Sequence, residues 1–299
     1  KLSMLDYRIE TFLSVCRNMS YTKAANELYI TQPAVSQHIK SLEKHYGAKL
    51  FFYNGKKLIL TEQGELLRQF FESVHHDSAR IEDMVRHIHT KRVIRLGATM
   101  SIGGFYLPEK LSRYILAHPE YNVTLTIQDT RDLLKMLDNG EVDFAMCEGY
   151  FNRSKYDNLE LEREKILCLC GKDYDIPETV PIEQLFSHRI ILRENGSGNR
   201  EVFERLLKAQ GYELNNFPNR CVVNDPHTII QLLLLKTGIS FLYQTVGEKL
   251  LLCGELREIE IPNFQMEHAF NAVWNKDSVF ADTYRSIVAE LIGSEQTES

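Results

Sequence analysis

The sequence predicts an α/β protein in three parts: an N-terminal winged helix-turn-helix, a long linker helix, and a two-lobed α/β domain. Three observations carry that prediction. Two apolar stripes of helical spacing lie between Ser20 and Glu43 with only Tyr29-Ile30 between them; a heptad pattern runs unbroken from Leu67 to Ile88; and from Val93 onward strand-like and helix-like segments alternate.

Leu5 to Arg17 reads as a first helix with Ile9, Phe12, Leu13 and Cys16 on one side. Ser20 is placed to cap a second helix whose inner face is Ala24, Ala25 and Leu28, and Thr31 to cap a third, with Pro33 in a first turn where its missing N–H costs nothing. A link so short forces a steep crossing, and the small side chains of Ala24 and Ala25 permit the close approach. Once Val35, Ile39 and Leu42 turn inward, Gln32, Pro33, Ser36, Gln37 and Lys40 form the outer stripe of the third helix. Gln pairs with an adenine edge, Ser with a base or a phosphate, and Lys with a phosphate. The plainer alternative is an amphipathic helix pair with a solvated polar side. Next, Lys49 to Tyr53 and Lys57 to Leu60 are short strand candidates joined at Asn54-Gly55, where both residues tolerate positive φ, and Lys56 and Lys57 sit at the tip of this wing.

Net charge is −6, an odd value for a nucleic-acid binder until it is divided along the chain. Residues 1 to 60 hold nine Lys or Arg against four Asp or Glu, a local +5, which leaves −11 for residues 61 to 299. Phosphate attraction decays over about 8 Å at physiological salt, so the local sign governs contact.

From Thr61 to about His89 there is no proline, and after Gly64 no glycine. Leu67, Phe71, Val74, Ser78, Ile81, Val85 and Ile88 make a seam on a helix roughly 43 Å long, more apolar stripe than a small winged domain can cover. The expected partner is a second copy of the same helix, which makes Leu67, Phe71, Val74, Ile81, Val85 and Ile88 the dimer face. The alternative is a helix lying on its own chain.

The period changes to that of a strand after Thr90-Lys91-Arg92. Strands are expected at Val123 to Ile127, Val142 to Met146 and Ile190 to Leu192, helices at Leu107 to Leu116, Thr130 to Leu137 and Arg200 to Gln210, with a break near Cys170 to Pro181. A last strand and helix, Ala269 to Trp274 and Ser278 to Ile292, return to the first half. Ligands of such sheets bind beyond the carboxyl ends of strands, where helix N-termini present N–H groups. By that rule the candidates are Thr99, Met100 and Ser101 after the first strand, Gln128 and Thr130 after the second, Glu148 after the third, Ser197 and Asn199 in the run from Arg193 to Arg200, and Asn224 before the helix opened by Asp225-Pro226.

Phe12, Val15, Ser20, Ala24-Ala25, Leu28, Gln32-Pro33-Ala34-Val35-Ser36, Ile39, Leu42-Glu43, Gly47, Leu50-Phe51 and Leu60-Thr61-Glu62-Gln63-Gly64 stand in order in a pattern that resembles the N-terminal region of LysR-type transcriptional regulators. The resemblance implies DNA contacts from Ser20, Thr22, Thr31, Gln32, Pro33, Ser36, Gln37 and Lys40 in one helix-turn-helix. The family usually has an Arg two residues after the Leu-Phe pair; here Tyr53 stands there, with Lys56 and Lys57 near enough to replace the phosphate contact. The resemblance further implies division into residues 4–61 (DNA-binding), 62–90 (linker and dimerisation helix) and 91–299. The last is a periplasmic-binding-protein-like effector domain, lobe I being about 91–168 with 268–299 and lobe II about 169–267. A homodimer or homotetramer on an interrupted palindrome, a small-molecule effector and RNA polymerase are the partners it suggests. The Gly-Ser-Gly-Asn-Arg run resembles one in family members that sense small anions or carboxylates, so an anionic effector is expected.

Other classes fit less well. No GxSxG, HExxH or phosphate-loop spacing suggests an enzyme, and no cofactor is implied. A carrier would explain two lobes but neither the heptad helix nor the basic helix-turn-helix. The six cysteines include no CxxC, and Cys168 and Cys170 alternate on one strand face, poorly placed to bridge each other. The ten His lack metal-ligand spacing. No apolar run approaches the roughly 20 residues that span a bilayer, and no signal peptide is evident, so a cytoplasmic protein is expected. Met4 reads as the natural start, preceded by an appended Lys1-Leu2-Ser3.

Overall fold

Capping side chains set the first three helices. In the computed structural model, which describes residues 6–86 and 92–293, the Asp6 carboxylate accepts from the Arg8 N–H (2.9 Å) at the head of α1, Tyr7–Asn18. Ser20 Oγ accepts from Lys23 N–H (3.3 Å) before α2, Tyr21–Glu27, and Thr31 Oγ1 from Ala34 N–H (3.4 Å) before α3, Gln32–Tyr46. Gly47, at φ 63°, ends α3 in the left-handed conformation that glycine adopts without strain. Val35, Ile39 and Leu42 join Phe12, Val15, Ala24, Ala25, Leu50, Phe51 and Leu58 in one core. Each large side chain there contributes about 1.5 to 3 kcal/mol by leaving water.

The wing is β1, Phe51–Asn54, antiparallel to β2, Lys57–Leu60. Asn54 stands opposite Lys57, so the two-residue loop is Gly55-Lys56, not the Asn54-Gly55 that the sequence suggested, and Gly55 alone of the expected pair has positive φ (63°). The Glu43 carboxylate accepts from Leu50 N–H (3.0 Å) and pairs with Lys49 (2.7 Å), tying the end of α3 to the strand entrance. Gly64 lies so close to the Leu50 carbonyl that a Cβ would fall 2.3 Å from its oxygen, which seats the start of α4, Glu62–Arg86, on the wing.

Here the structure departs from the expected seam. Leu67 and Phe71 pack into the winged core, Phe71 edge-on to Phe12 (5.8 Å) and to Tyr46 (6.2 Å). The first turns of α4 therefore turn those two residues toward their own domain, onto the apolar floor under α1 and α3. Val74 is half-buried; the apolar residues exposed on α4 are Leu66, Phe70, Ile81, Met84 and Val85. Ile88 and the expected boundary at Thr90-Lys91 lie outside the described residues.

The chain divides into two compact units, residues up to Thr90 with Asp138–Gly140 and Asn275–Phe280, and the remainder. In the second, β3 (Arg92–Ala98), α5 (Pro108–Ala117), β4 (Tyr121–Ile127), α6 (Thr130–Asp138), β5 (Phe144–Cys147) and β6 (Tyr156–Gly171) are followed by α7 (Ile182–Leu185), β7 (Ile190–Leu192), α8 (Gly198–Ala209), β8 (Arg220–Val222) and α9 (Pro226–Leu234). β9 (Ile239–Tyr243), α10 (Gln244–Leu252), β10 (Leu256–Glu258), β11 (Glu267–Asn275) and α11 (Ala281–Ile292) complete it. Among the described residues these strands form one sheet in the order β4-β3-β5-β11-β6-β9-β7-β8, with β10 on β6. β3 pairs in parallel with β4 and β5, and β7 with β8 and β9, while β11 on β5 and β6 on β9 are antiparallel. Two parallel halves are thus joined by the long strands β6 and β11, the expected two-lobed α/β arrangement. Element ends differ from expectation by up to three residues; the last helix begins at Ala281, where Ser278 was expected, and the π turn Ile102–Tyr106 was not expected at all. No described helix is long and apolar enough to cross a membrane.

Candidate functional site

The residues expected to face DNA lie on two exposed elements of the winged unit. Thr22, Thr31, Gln32, Pro33, Gln37 and Lys40 are exposed on α2, α3 and the turn between them, and Ser20 and Ser36 are half-buried. Ser20 and Thr31 spend their hydroxyl oxygens on capping, leaving the O–H of each to donate outward. Lys56 and Lys57 are exposed on the wing beside Tyr53, and neither they nor Lys40 make an ion pair among the described residues. Two exposed aromatics escaped the sequence reading: Tyr29, in the helix-turn-helix turn at φ 55°, and Phe52 on β1.

In the second unit, the carboxyl ends of β3, β5 and β7 bring polar side chains out of water. Thr99, Ser101, Thr130, Glu148, Ser197 and Asn199 are all buried, and the Thr99 hydroxyl donates to the Glu148 carboxylate. Gly198 rests on the Glu148-Gly149 backbone, where a Cβ would come 3.0 Å from Gly149 N, and Gly149 in turn rests on Thr130. The two halves of the domain touch here through glycine backbone. Ser197 Oγ caps α8 by accepting from Arg200 N–H (3.5 Å), while Asn199 Nδ2 and Thr130 Oγ1 are buried with no hydrogen-bond partner. Unmet polar atoms of this kind cost about 1 to 3 kcal/mol each unless something binds them.

Charge at this locus is divided. Burial pushes the Glu148 carboxyl up to about 7, against its backbone N–H, Arg193 and the Ser101 hydroxyl, which all favour the ionised form. Arg193, itself buried, is engaged by Glu194 (2.9 and 3.0 Å), and its Nη2 donates to Met100 Sδ (3.3 Å). Arg200 pairs with Glu204 (2.6 Å) and donates to the Arg193 carbonyl (3.2 Å). Of the expected ligand residues, Gln128 and Asn224 are exposed and stand apart from the buried set, because each follows its strand on the solvent side of the turn. Arg193, named beforehand only as the start of the run to Arg200, and Tyr243, not named, are buried near this set. A fully buried Arg is rare enough that sequence gives no warning of it, whereas Tyr243 ends the apolar run Ile239 to Tyr243, which was readable as a buried strand. Burial pushes the Cys147, Cys168 and Cys170 thiols up, away from the thiolate.

A winged helix-turn-helix followed by a long helix and a two-lobed α/β domain with buried, unpartnered polar atoms at its strand ends defines a DNA-binding protein that also receives a small ligand. The LysR substrate binding domain family matches residues 88–292, and the bacterial regulatory helix-turn-helix protein, lysR family, matches residues 7–65. The chain belongs to the LysR family and is a LysR-type transcriptional regulator with an effector-binding domain. It is similar to the transcriptional regulator CysL of Bacillus subtilis (strain 168), at 25% identity over 270 residues that cover 89% of each chain. Its fold is similar to full-length LysG of Corynebacterium glutamicum with bound effector Arg (TM-score 0.61, 16% identity, 97% and 98% of the two chains). The CcmR regulatory domain of Synechocystis PCC6803 in complex with 2-PG is similar too (TM-score 0.58, 17% identity, 69% of this chain and 98% of that one).

Proposed function

We propose that this regulator reads an operator through Gln32, Ser36 and Gln37, is positioned by Lys40, Lys56 and Lys57, and is controlled by a small anion or carboxylate held between the Thr99–Ser101 and Ser197–Asn199 turns. The observation that carries the effector reading is Asn199 Nδ2, a buried donor without a partner in the first turn of α8, where unpaired N–H groups already favour negative charge. Thr130, Ser101 and Thr99 add hydroxyls. LysG and CcmR were solved with Arg and 2-PG, each a small molecule, which supports a small-molecule effector. Self-association through the exposed stripe of α4, work on cytoplasmic DNA and contact with RNA polymerase complete the proposal.

The test is calorimetric titration of the full chain with inorganic anions, carboxylates and neutral metabolites, with promoter binding followed in parallel. An anion is expected to bind, to alter promoter binding, and to lose about 1 to 2 kcal/mol of affinity in Asn199→Ala and Ser101→Ala. Tight binding of a neutral apolar compound, indifferent to both changes, would overturn it. An effector shifts the regulator only as far as its affinities for the two arrangements differ.

A further inference from the structure

An anion site with a carboxylate at its centre poses a problem of charge. Glu148 is 1% exposed, and the groups that face it come from every element packed around it. Thr99 and Ser101 offer hydroxyls from the β3 turn; Arg193, the one buried cation near it among the described residues, comes from the β7–α8 turn but is spent on Glu194; Cys147 precedes it on β5; Tyr243 approaches from the end of β9, its hydroxyl buried and without a partner; and His268 on β11 reaches its backbone. An incoming anion would therefore meet a second anion while Arg193 is already engaged by Glu194, and the turn that would hold it stands close to Glu148: a Cβ on Gly198, between Ser197 and Asn199, would lie 3.1 Å from Glu148 Cγ. Two like charges so placed cannot both remain ionised.

We propose that the anion enters this site together with one proton, held between it and Glu148. The inference rests on the small-anion reading of the site and deepens it. The proton comes from either side: an oxyanion that still carries one, such as monohydrogen phosphate, donates it to the Glu148 carboxylate, and an anion that carries none, such as sulfate, requires Glu148 in its acid form. Burial, which has already raised Glu148 to about 7, makes that uptake cheap near neutrality. The locus thereby discriminates between anions by their protons: above neutrality it favours the protonated oxyanion, and toward acid it accepts both.

The experiment is isothermal titration of the full chain with inorganic sulfate and inorganic phosphate from about pH 5.5 to about pH 8.5, in two buffers of different ionisation heat. Sulfate affinity is expected to fall about tenfold per pH unit above neutrality, the slope of one linked proton, with one proton drawn from the buffer per sulfate bound. Phosphate affinity is expected to fall much less over the same range. In Glu148→Gln the amide supplies a permanent donor, so sulfate binding should become independent of pH and draw no proton. Sulfate bound near pH 8 without proton uptake by the wild-type chain, or uptake that persists in Glu148→Gln, overturns the proton-coupled reading while leaving the anion site standing. Binding of neither anion at any pH by folded, DNA-binding protein overturns the small-anion reading and this inference with it. Should Glu148→Gln fail to fold, the wild-type buffer comparison still decides.

Discussion

The Thr99 hydroxyl donates to the buried carboxylate of Glu148, joining the end of β3 to the end of β5 at the floor of the proposed ligand site. One hydroxyl does not repay the desolvation of a carboxylate, and burial leaves Glu148 at about 7 in the folded chain against an ordinary value of 4.5. The folded state therefore holds the proton more tightly than the unfolded one. Its contribution to stability is fully present below about pH 4.5 and is lost as pH rises through about 7. Between those limits the wild type should lose about 3 kcal/mol that Glu148→Gln keeps. Melting curves across that window check this, and parallel pH profiles for the two proteins would contradict it.

Gln32 stands exposed in the first turn of α3, with a side chain able to address an adenine edge by two hydrogen bonds. Gln32→Ala should weaken operator binding by about 1 to 3 kcal/mol and leave binding to random DNA nearly intact. Anisotropy titrations with operator and scrambled duplexes measure the ratio. An unchanged ratio would remove Gln32 from the base readers.

Lys56 and Lys57 differ from Gln32 in kind, since a wing lysine has a phosphate to meet but no base code to read. Replacing both by Ala should weaken all sequences alike and reduce the slope of log affinity against log salt by about 2. A loss confined to the operator would instead point to a minor-groove reading role.

Neighbouring phenylalanines on α4 should separate self-association from folding. Phe71 is buried in the winged core, so Phe71→Glu is expected to unfold that domain, with a cost above the roughly 3 to 5 kcal/mol of a Phe→Ala change. Phe70 is 58% exposed and Val85 65% exposed, so Phe70→Glu with Val85→Glu should leave the fold intact and lower the mass seen by light scattering. An unchanged mass would mean that the exposed stripe is not where copies meet.

How far the fold could be read beforehand depended on whether local pattern or distant packing decided each position. Ser20 and Thr31 act within one turn of themselves, and their caps were legible from residue type alone. The heptad on α4 was legible as a helix, yet which of its apolar residues face home depended on the floor formed by Phe12 and Tyr46, dozens of residues away. The ligand locus divides in the same way. Strand-end position named Thr99, Ser101, Thr130, Glu148, Ser197 and Asn199, which the structure buries, and equally Gln128 and Asn224, which it leaves exposed, because a position after a strand does not say which side of the turn is covered. Arg193 was hidden for a physical reason: its burial depends on Glu194 and Met100 closing over a guanidinium that the sequence shows only as a surface-type residue.

Gly198 opens α8 where the two halves of the effector domain meet, and its substitution by Ala sets two effects against each other. Ala favours a helix over Gly by as much as about 1 kcal/mol, and φ at this position is not in the left-handed region, so α8 itself should gain. Against that, the new Cβ would lie 3.0 Å from Gly149 N and 3.1 Å from both Glu148 Cγ and Gly149 Cα. Two of those atoms are backbone, which cannot swing aside as a long side chain does, so the turn must retreat by a few tenths of an ångström. Hydrogen bonds weaken steeply when stretched, and Ser197 and Asn199 move with the turn. The expected outcome is a melting temperature near that of the wild type, unchanged DNA binding without ligand, and anion affinity lowered about tenfold, or 1.4 kcal/mol. Calorimetry on the full chain reads the affinity; if Gly198→Ala bound the anion as tightly as the wild type, the close contact of these two turns would have no part in shaping the site.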